Sequence, residues 1–128
     1  MRVLEAIGLR RPFGRYSHGL EVRSGGRLVI TSGQLGINPD DSIPQSVEKQ
    51  AELCFEAIRT ILAEADMDFG DVVRLGAFVT SREYFAPYMA VRDRYVAEPL
   101  PTSTLVVVSG FTRPEFKVEV EAMAIRAD

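Results

Sequence analysis

Ser46-Val47-Glu48-Lys49-Gln50-Ala51-Glu52-Leu53-Cys54-Phe55-Glu56-Ala57-Ile58-Arg59-Thr60-Ile61-Leu62-Ala63-Glu64-Ala65 is the stretch that decides the fold. At helical spacing, Val47, Ala51, Cys54, Ile58, Ile61 and Ala65 recur at alternating steps of four and three residues. They therefore share one stripe of an α-helix, with Phe55 and Leu62 widening one flank. Glu48, Glu52, Glu56, Arg59 and Glu64 fall on the opposite side and face water. Ser46 is the expected N-cap, because its hydroxyl can accept from the free N–H groups of the first turn. At 1.5 Å per residue the rod is about 30 Å long. A stripe of that length needs a sheet or another helix to cover it.

The segments on either side supply a sheet. Before the helix, a short strand is followed by a loop at Arg10-Arg11-Pro12-Phe13-Gly14-Arg15. Leu20–Ser24 and Arg27–Ser32 then flank Gly25-Gly26, a spacing that predicts a β-hairpin on a tight glycine turn. After the helix comes a turn in which Asp66 is expected to take the left-handed position in place of glycine. Val72–Thr80 reads as a strand with Val73, Leu75, Ala77 and Val79 on one face. A second helix runs over Phe85–Val96, with Pro87 tolerable only in its first turn. Thr102–Val108, apolar on both faces, reads as a buried central strand.

Phe116–Ile125 completes the set. Phe116, Val118, Val120, Ala122 and Ala124 alternate on a face that should pack under the helices. The other face carries Lys117, Glu119, Glu121, Met123 and Ile125, so it begins charged and finishes apolar. An outer sheet face of that kind usually meets another subunit or a ligand. The expected architecture is one α+β domain over residues 1–128, a mixed sheet with two helices on one face.

Composition narrows the function. The 128 residues can bury a real core in one domain. No apolar run approaches membrane-spanning length, and Met1–Ile7 is too short and too acidic for a signal peptide, so a cytoplasmic protein without membrane contact is expected. A formal charge of −3 with scattered basic residues argues against a nucleic-acid partner. One cysteine and one histidine exclude a Cys/His metal cluster within a chain. No metal and no cofactor are expected.

Gly14-Arg15-Tyr16-Ser17-His18-Gly19, Leu28-Val29-Ile30-Thr31-Ser32-Gly33-Gln34, the Val72–Val79 strand, Pro101 before a β-run and Val118-Glu119-Val120-Glu121-Ala122 together resemble the RidA (YjgF) family, in the right order along nearly the whole chain. The resemblance implies a chorismate-mutase-like fold, a homotrimer, and small-molecule pockets in the clefts between subunits. It also implies hydrolysis of 2-imino or 2-aminoacrylate-type intermediates to 2-keto acids and ammonia. Glu119 matches the family's water-positioning glutamate, Tyr16 its pocket tyrosine, and Ser32-Gly33 its pocket backbone. Where the family has Arg-Ser-Cys, this chain reads Ser103-Thr104-Leu105, and Val107 replaces a further glutamate. The arginine that would fork onto a substrate carboxylate is missing, while Ser103 and Thr104 are expected to line the cleft.

Each candidate has a plainer reading. Glu119 and Glu121, about 7 Å apart along one face, could be an interfacial carboxylate pair, and Tyr16 could cap a core edge. Arg92 falls among Phe85, Met89 and Val96 on the apolar stripe of the second helix. It reads as an arginine laying its stem over the core edge with its head in water; the alternative is an interface or ligand-facing cation. Arg15, Arg74 and Arg113 are the other cations that could replace the lost one. His18 is expected to be structural or solvent-facing, and Cys54 an inert core residue. Three classes stay open: an imine or enamine hydrolase with a divergent pocket, a non-catalytic metabolite-binding trimer, and a ribonuclease, which the negative charge and single histidine disfavour.

Overall fold

The computed structural model describes residues 1–127. Its elements in chain order are β1 (Arg2–Val3), β2 (Leu20–Glu21), β3 (Arg27–Ile30), β4 (Gln34–Leu35), α1 (Val47–Glu64), β5 (Val72–Val79), α2 (Phe85–Tyr95), β6 (Thr102–Val107) and β7 (Val118–Arg126). The main sheet runs β3-β7-β5-β6, and β4 also pairs with β7. Every pairing in it is antiparallel except β5 with β6. Both helices pack on one face, the α+β arrangement that the alternating strands and the two amphipathic helices demand.

The long helix forms as its sequence dictates. Ser46 caps it by accepting from the Lys49 N–H at 3.1 Å. Asp66 takes the left-handed conformation with φ +57°, and the Met67 N–H reaches back to the Leu62 carbonyl. The buried stripe is Val47, Gln50, Ala51, Cys54, Phe55, Ile58 and Leu62. It differs slightly from the expected one: Ile61 is only half-buried, as is Ala65, the C-cap beyond the last helical residue, whereas Phe55 on the flank that meets α2 is fully buried. There Phe55 stacks on Tyr95 with ring centroids 4.9 Å apart and meets Tyr88 and Phe69 at 6.0 and 6.1 Å. Stacked and tilted aromatic contacts of this kind add to simple burial.

Gln50 is the least expected core member. It is fully buried, and its amide is completely used. Nε2 donates to the Pro44 and Glu115 carbonyls at 2.8 and 2.9 Å, and Oε1 accepts from the Lys117 N–H at 2.8 Å. One side chain thus ties the first turn of α1 to the chain entering β7. Gly36 presses against it so closely that a Cβ there would lie 2.5 Å from the Gln50 Cα.

Three expectations are corrected. The strands flanking Gly25-Gly26 do not form a hairpin: β2 pairs with β1, and β3 pairs with β7. Both glycines have positive φ, but they turn the chain against Arg126 rather than back on itself. β6 is an edge strand, not a central one, and Val106 and Val107 are 40% and 48% exposed. An apolar run on two faces signals cover of some kind, and within this chain the cover is incomplete. Finally, Val73 leaves the inner face because the β5–β7 register shifts between Val72 and Arg74. Val72 takes its buried place, with Leu75, Ala77 and Val79.

Gln50→Leu should remove three hydrogen bonds and leave three main-chain groups without partners. At about 1 kcal/mol net per bond, a loss of about 3 kcal/mol in urea-induced unfolding is expected. A loss under about 1 kcal/mol would show that solvent replaces the amide easily.

Candidate functional site

β7 sets the site, because its two faces are committed to different surroundings. Val118, Val120, Ala122 and Ala124 are buried beneath the helices, as the alternation predicts. Glu119, Glu121, Met123 and Ile125 must then point to the outer face. Their neighbours follow from the register. Leu28 and Ile30 on β3 lie beside Ile125 and Met123, and Ile30 is 65% exposed. On β5, Arg74, Gly76 and Phe78 lie beside Met123, Glu121 and Glu119. On β6, Thr104 and Val106 are level with Gly76 and Phe78. The outer face is therefore a largely apolar, partly exposed surface with two carboxylates set into it.

Each carboxylate lies against a glycine. Thr31 bonds Ala122 twice, through its N–H and through its Oγ1, which accepts from the Ala122 N–H. This holds the chain as it leaves β3 and brings Gly33 onto Glu119. A Cβ at Gly33 would sit 2.6 Å from the Glu119 Cδ and 2.8 Å from Oε2. Glu121 lies over Gly76, where a Cβ would meet its Cγ at 3.0 Å. Any larger residue at either position would displace a carboxylate. Burial raises the Glu119 pKa above the ordinary glutamate value, and the neighbouring charge of Glu121 raises it further. A carboxylate so placed is a better proton acceptor than a solvated one, and a water beside it would be oriented for attack.

The structure brings together only some of the candidate residues. Glu119 and Gly33 meet on the outer face, with Ser32 next to Gly33 along the chain and Thr104 two strands away on the same side. Ser103 is adjacent to Thr104 but pairs with Leu75 on the helix-facing side, and its Oγ is buried without a partner. Tyr16 is also remote from Glu119. Ser17 bridges Thr102 and donates to the Leu100 carbonyl at 2.6 Å, which fixes Tyr16 beside the start of β6. Tyr16 lines a cleft of about 310 Å³ with Leu4, Pro12, His18 and Leu100, and its hydroxyl accepts from the Phe13 N–H. Within one chain, the sheet separates the Glu119 cluster from the Tyr16–Ser103 corner.

Of the four arginines weighed as replacement cations, Arg74 lies on the outer face, Arg113 is exposed in the loop before β7, and Arg15 reaches the Val96 carbonyl at 3.5 Å. Arg92 corrects the expectation of a head in water: it is 2% exposed, with its guanidinium 5.7 Å from the Tyr16 ring centroid. The sequence signal was its place in the apolar stripe of α2. What could not be seen was that the Pro12–Tyr16 loop closes over it. His18 is exposed and holds the Arg10 carbonyl, and Cys54 is buried with its thiol pushed up to about 12 by desolvation, so it stays protonated and inert. Among the described residues no cluster of His, Cys, Asp and Glu could hold a metal, and no helix is long and apolar enough to cross a membrane.

A mixed sheet with two helices on one face, and a carboxylate cradled by glycine on the other, defines a protein of the Rid fold. The chain belongs to the RidA (YjgF) family, whose model, described as Endoribonuclease L-PSP, matches residues 8–126. The 2-iminobutanoate/2-iminopropanoate deaminase of Escherichia coli K12 is 30% identical over 117 residues, covering 88% of each chain. The crystal structure of YyfB from Yersinia pestis, a Rid protein of unknown function, superposes with a TM-score of 0.85 at 26% identity, covering 98% of both chains. That of E. coli TdcF with bound serine gives 0.72 at 28% identity, over 99% of this chain and 100% of the other.

Carbon-detected NMR titration of the glutamates should find the Glu119 midpoint above the ordinary value of 4.5. In Glu121→Gln it should fall but stay above that value, because burial is the larger cause. A midpoint indifferent to Glu121 would show that the two carboxylates do not interact.

Proposed function

We propose that this protein is a RidA-type deaminase, hydrolysing small 2-imino acids or their enamine tautomers to 2-keto acids and ammonia in pockets between the subunits of a homotrimer. The observation that carries the reading is the partly desolvated Glu119, held over Gly33 on an apolar outer face. The name of the E. coli relative points to the same chemistry. Water attacks the imine carbon while Glu119 accepts its proton, and the C=N electrons move to nitrogen. Protonated Glu119 returns that proton to the nitrogen, giving the neutral carbinolamine. The carbinolamine hydroxyl proton then passes to the nitrogen by way of Glu119, the C–N bond breaks, and ammonia leaves as the C=O forms, with Glu119 again ionised. The raised pKa helps the first step, since a stronger base takes the proton more readily.

What one chain leaves uncovered supports association with further copies. Leu28 and Ile30 are exposed on the outer face beside Ile125 and Met123, Val106 is exposed separately on the β6 edge, and Phe13 and Ile7 on the N-terminal segment are also exposed. The patch of Leu28, Ile30, Met123 and Ile125 is of the kind that supports association. Because Glu119 and Tyr16 lie on different sides of one chain, a pocket using both needs two copies. Small-molecule binding is the coarser part of this reading, and the bound serine in the structure of the relative TdcF is consistent with it.

A second reading, a trimeric binder without catalysis, is favoured by Ser103, which stands where the family's carboxylate-binding arginine is found. A ribonuclease has no comparable support: the formal charge is −3, and the sole histidine is engaged with the Arg10 carbonyl.

Two measurements test the proposal. Light scattering should give three times the 14.2 kDa chain mass; a monomer at micromolar concentration would contradict the inter-subunit pocket. In a coupled assay generating 2-iminopropanoate, the protein should accelerate ammonia release, and Glu119→Gln should reduce kcat by roughly 10²–10⁴-fold, the range for loss of a general base. Binding without turnover in the unmodified protein would favour the second reading.

A further inference from the structure

Three polar side-chain atoms of the described residues are buried without a hydrogen-bond partner: Arg92 Nη2, the Tyr88 hydroxyl and Ser103 Oγ. Tyr88 and Arg92 are four residues apart and share one face of α2, and Ser103 turns toward the same helix layer from β6. Buried polar groups are nearly always paired, so three orphans in one layer require an explanation.

Arg92 is the most anomalous of the three. Its side chain is 3% exposed, whereas its counter-ion Asp93 is 36% exposed. Asp93 Oδ1 accepts from Nε at 3.1 Å. Nη2 is the same distance from that oxygen but is not aligned to bond it. One edge of the guanidinium is thus engaged, and the nitrogen that would complete a fork is idle. A buried, half-compensated cation is costly in an apo protein.

The idle nitrogen is close to solvent. Gly14, on the exposed surface of the Pro12–Tyr16 loop, lies against it: a Cβ added there would sit 2.8 Å from Nη2. The Tyr16 ring forms the adjacent wall, between Arg92 and the cleft at Leu4, Pro12, His18 and Leu100. Gly14 and the Tyr16 ring both lie against this cation.

We propose that Arg92 is the anion anchor of this protein, receiving a ligand's carboxylate on Nη2 with Ser103 Oγ as a second donor, once the Pro12–Tyr16 loop yields. The assignment of that carboxylate to a 2-imino or 2-keto acid rests on the function proposed above; the anion site itself does not. In this chain the cation comes from α2. Gly14 is a specificity element, because any side chain there would push the guanidinium aside.

Pyruvate, the 2-keto acid released from 2-iminopropanoate, is the probe. Calorimetric titration should show it binding the unmodified protein, and Arg92→Met should weaken binding about 10- to 150-fold, the range for a hydrogen bond to a charged group. Without pyruvate, Arg92→Met should melt at or above the wild-type temperature, since it removes a poorly compensated buried charge and leaves Asp93 partly in water. Gly14→Ala, at an exposed position without positive φ, should also weaken pyruvate binding while leaving the fold intact. No pyruvate binding by the unmodified protein, or undiminished affinity in Gly14→Ala and Arg92→Met, would overturn the assignment. So would an Arg92→Met protein that melts lower and binds pyruvate normally. If Arg92→Met does not fold, Gly14→Ala alone decides. Arg92-dependent pyruvate binding by a protein that does not hydrolyse 2-iminopropanoate would uphold the anion site and sink the deaminase. Hydrolysis with an unchanged KM in Arg92→Met would do the reverse.

Discussion

A strand has two faces, and α1 claims one face of β7. Val118, Val120, Ala122 and Ala124 are held beneath the helix by the buried stripe from Val47 to Leu62, with Gln50 pinning the helix to the chain at Lys117. Glu119 and Glu121 then have only one place to go. A slip of a single residue would turn both carboxylates into the core, and the desolvation of two charges there would be prohibitive. The same register sets Glu119 against Gly33 and Glu121 against Gly76, so the electrostatics of the outer face follow from the packing of the inner one.

That division also explains why a single chain looks incomplete. The carboxylate cluster is on the outer face, while Tyr16, Ser103 and Arg92 are on the helix side of the sheet near its β6 edge. β6 is apolar yet poorly covered, and the outer face exposes Leu28 and Ile30. These features are what a subunit of a composite-site assembly would leave open, and they are costly in an isolated monomer. Stability spent on an idle buried cation and on exposed apolar strands fits a fold kept for binding rather than optimised for itself.

Much of this was legible in the residues. The period of α1, its Ser46 cap, the left-handed Asp66 and the alternation of β7 are local signals, and each is realised locally. The strand pairings were not legible. Gly25-Gly26 carries a turn signal, but which strand β3 joins is decided by distant residues of β7. β6 has the composition of a central strand and the position of an edge one, because the sequence records its cover without saying what supplies it. The family motifs singled out Glu119 and Gly33, which the structure places against each other. The burial of Arg92 was not legible, since a helical arginine in an apolar stripe ordinarily extends to water, and only the tertiary closure of the Gly14 loop prevents it.

The claim that the two half-sites meet only between copies is open to one decisive measurement: complementation between two impaired variants. Assayed at substrate concentrations well below KM, Glu119→Gln chains and Arg92→Met chains, each strongly impaired alone, should regain 2-imino acid hydrolysis when co-assembled, because some clefts then pair an intact glutamate with an intact arginine. Random mixing in a cyclic trimer predicts recovery of about a quarter of the wild-type rate. Mixed assemblies that stay as impaired as either parent would contradict the account, placing both residues in one chain's site or removing one of them from the chemistry.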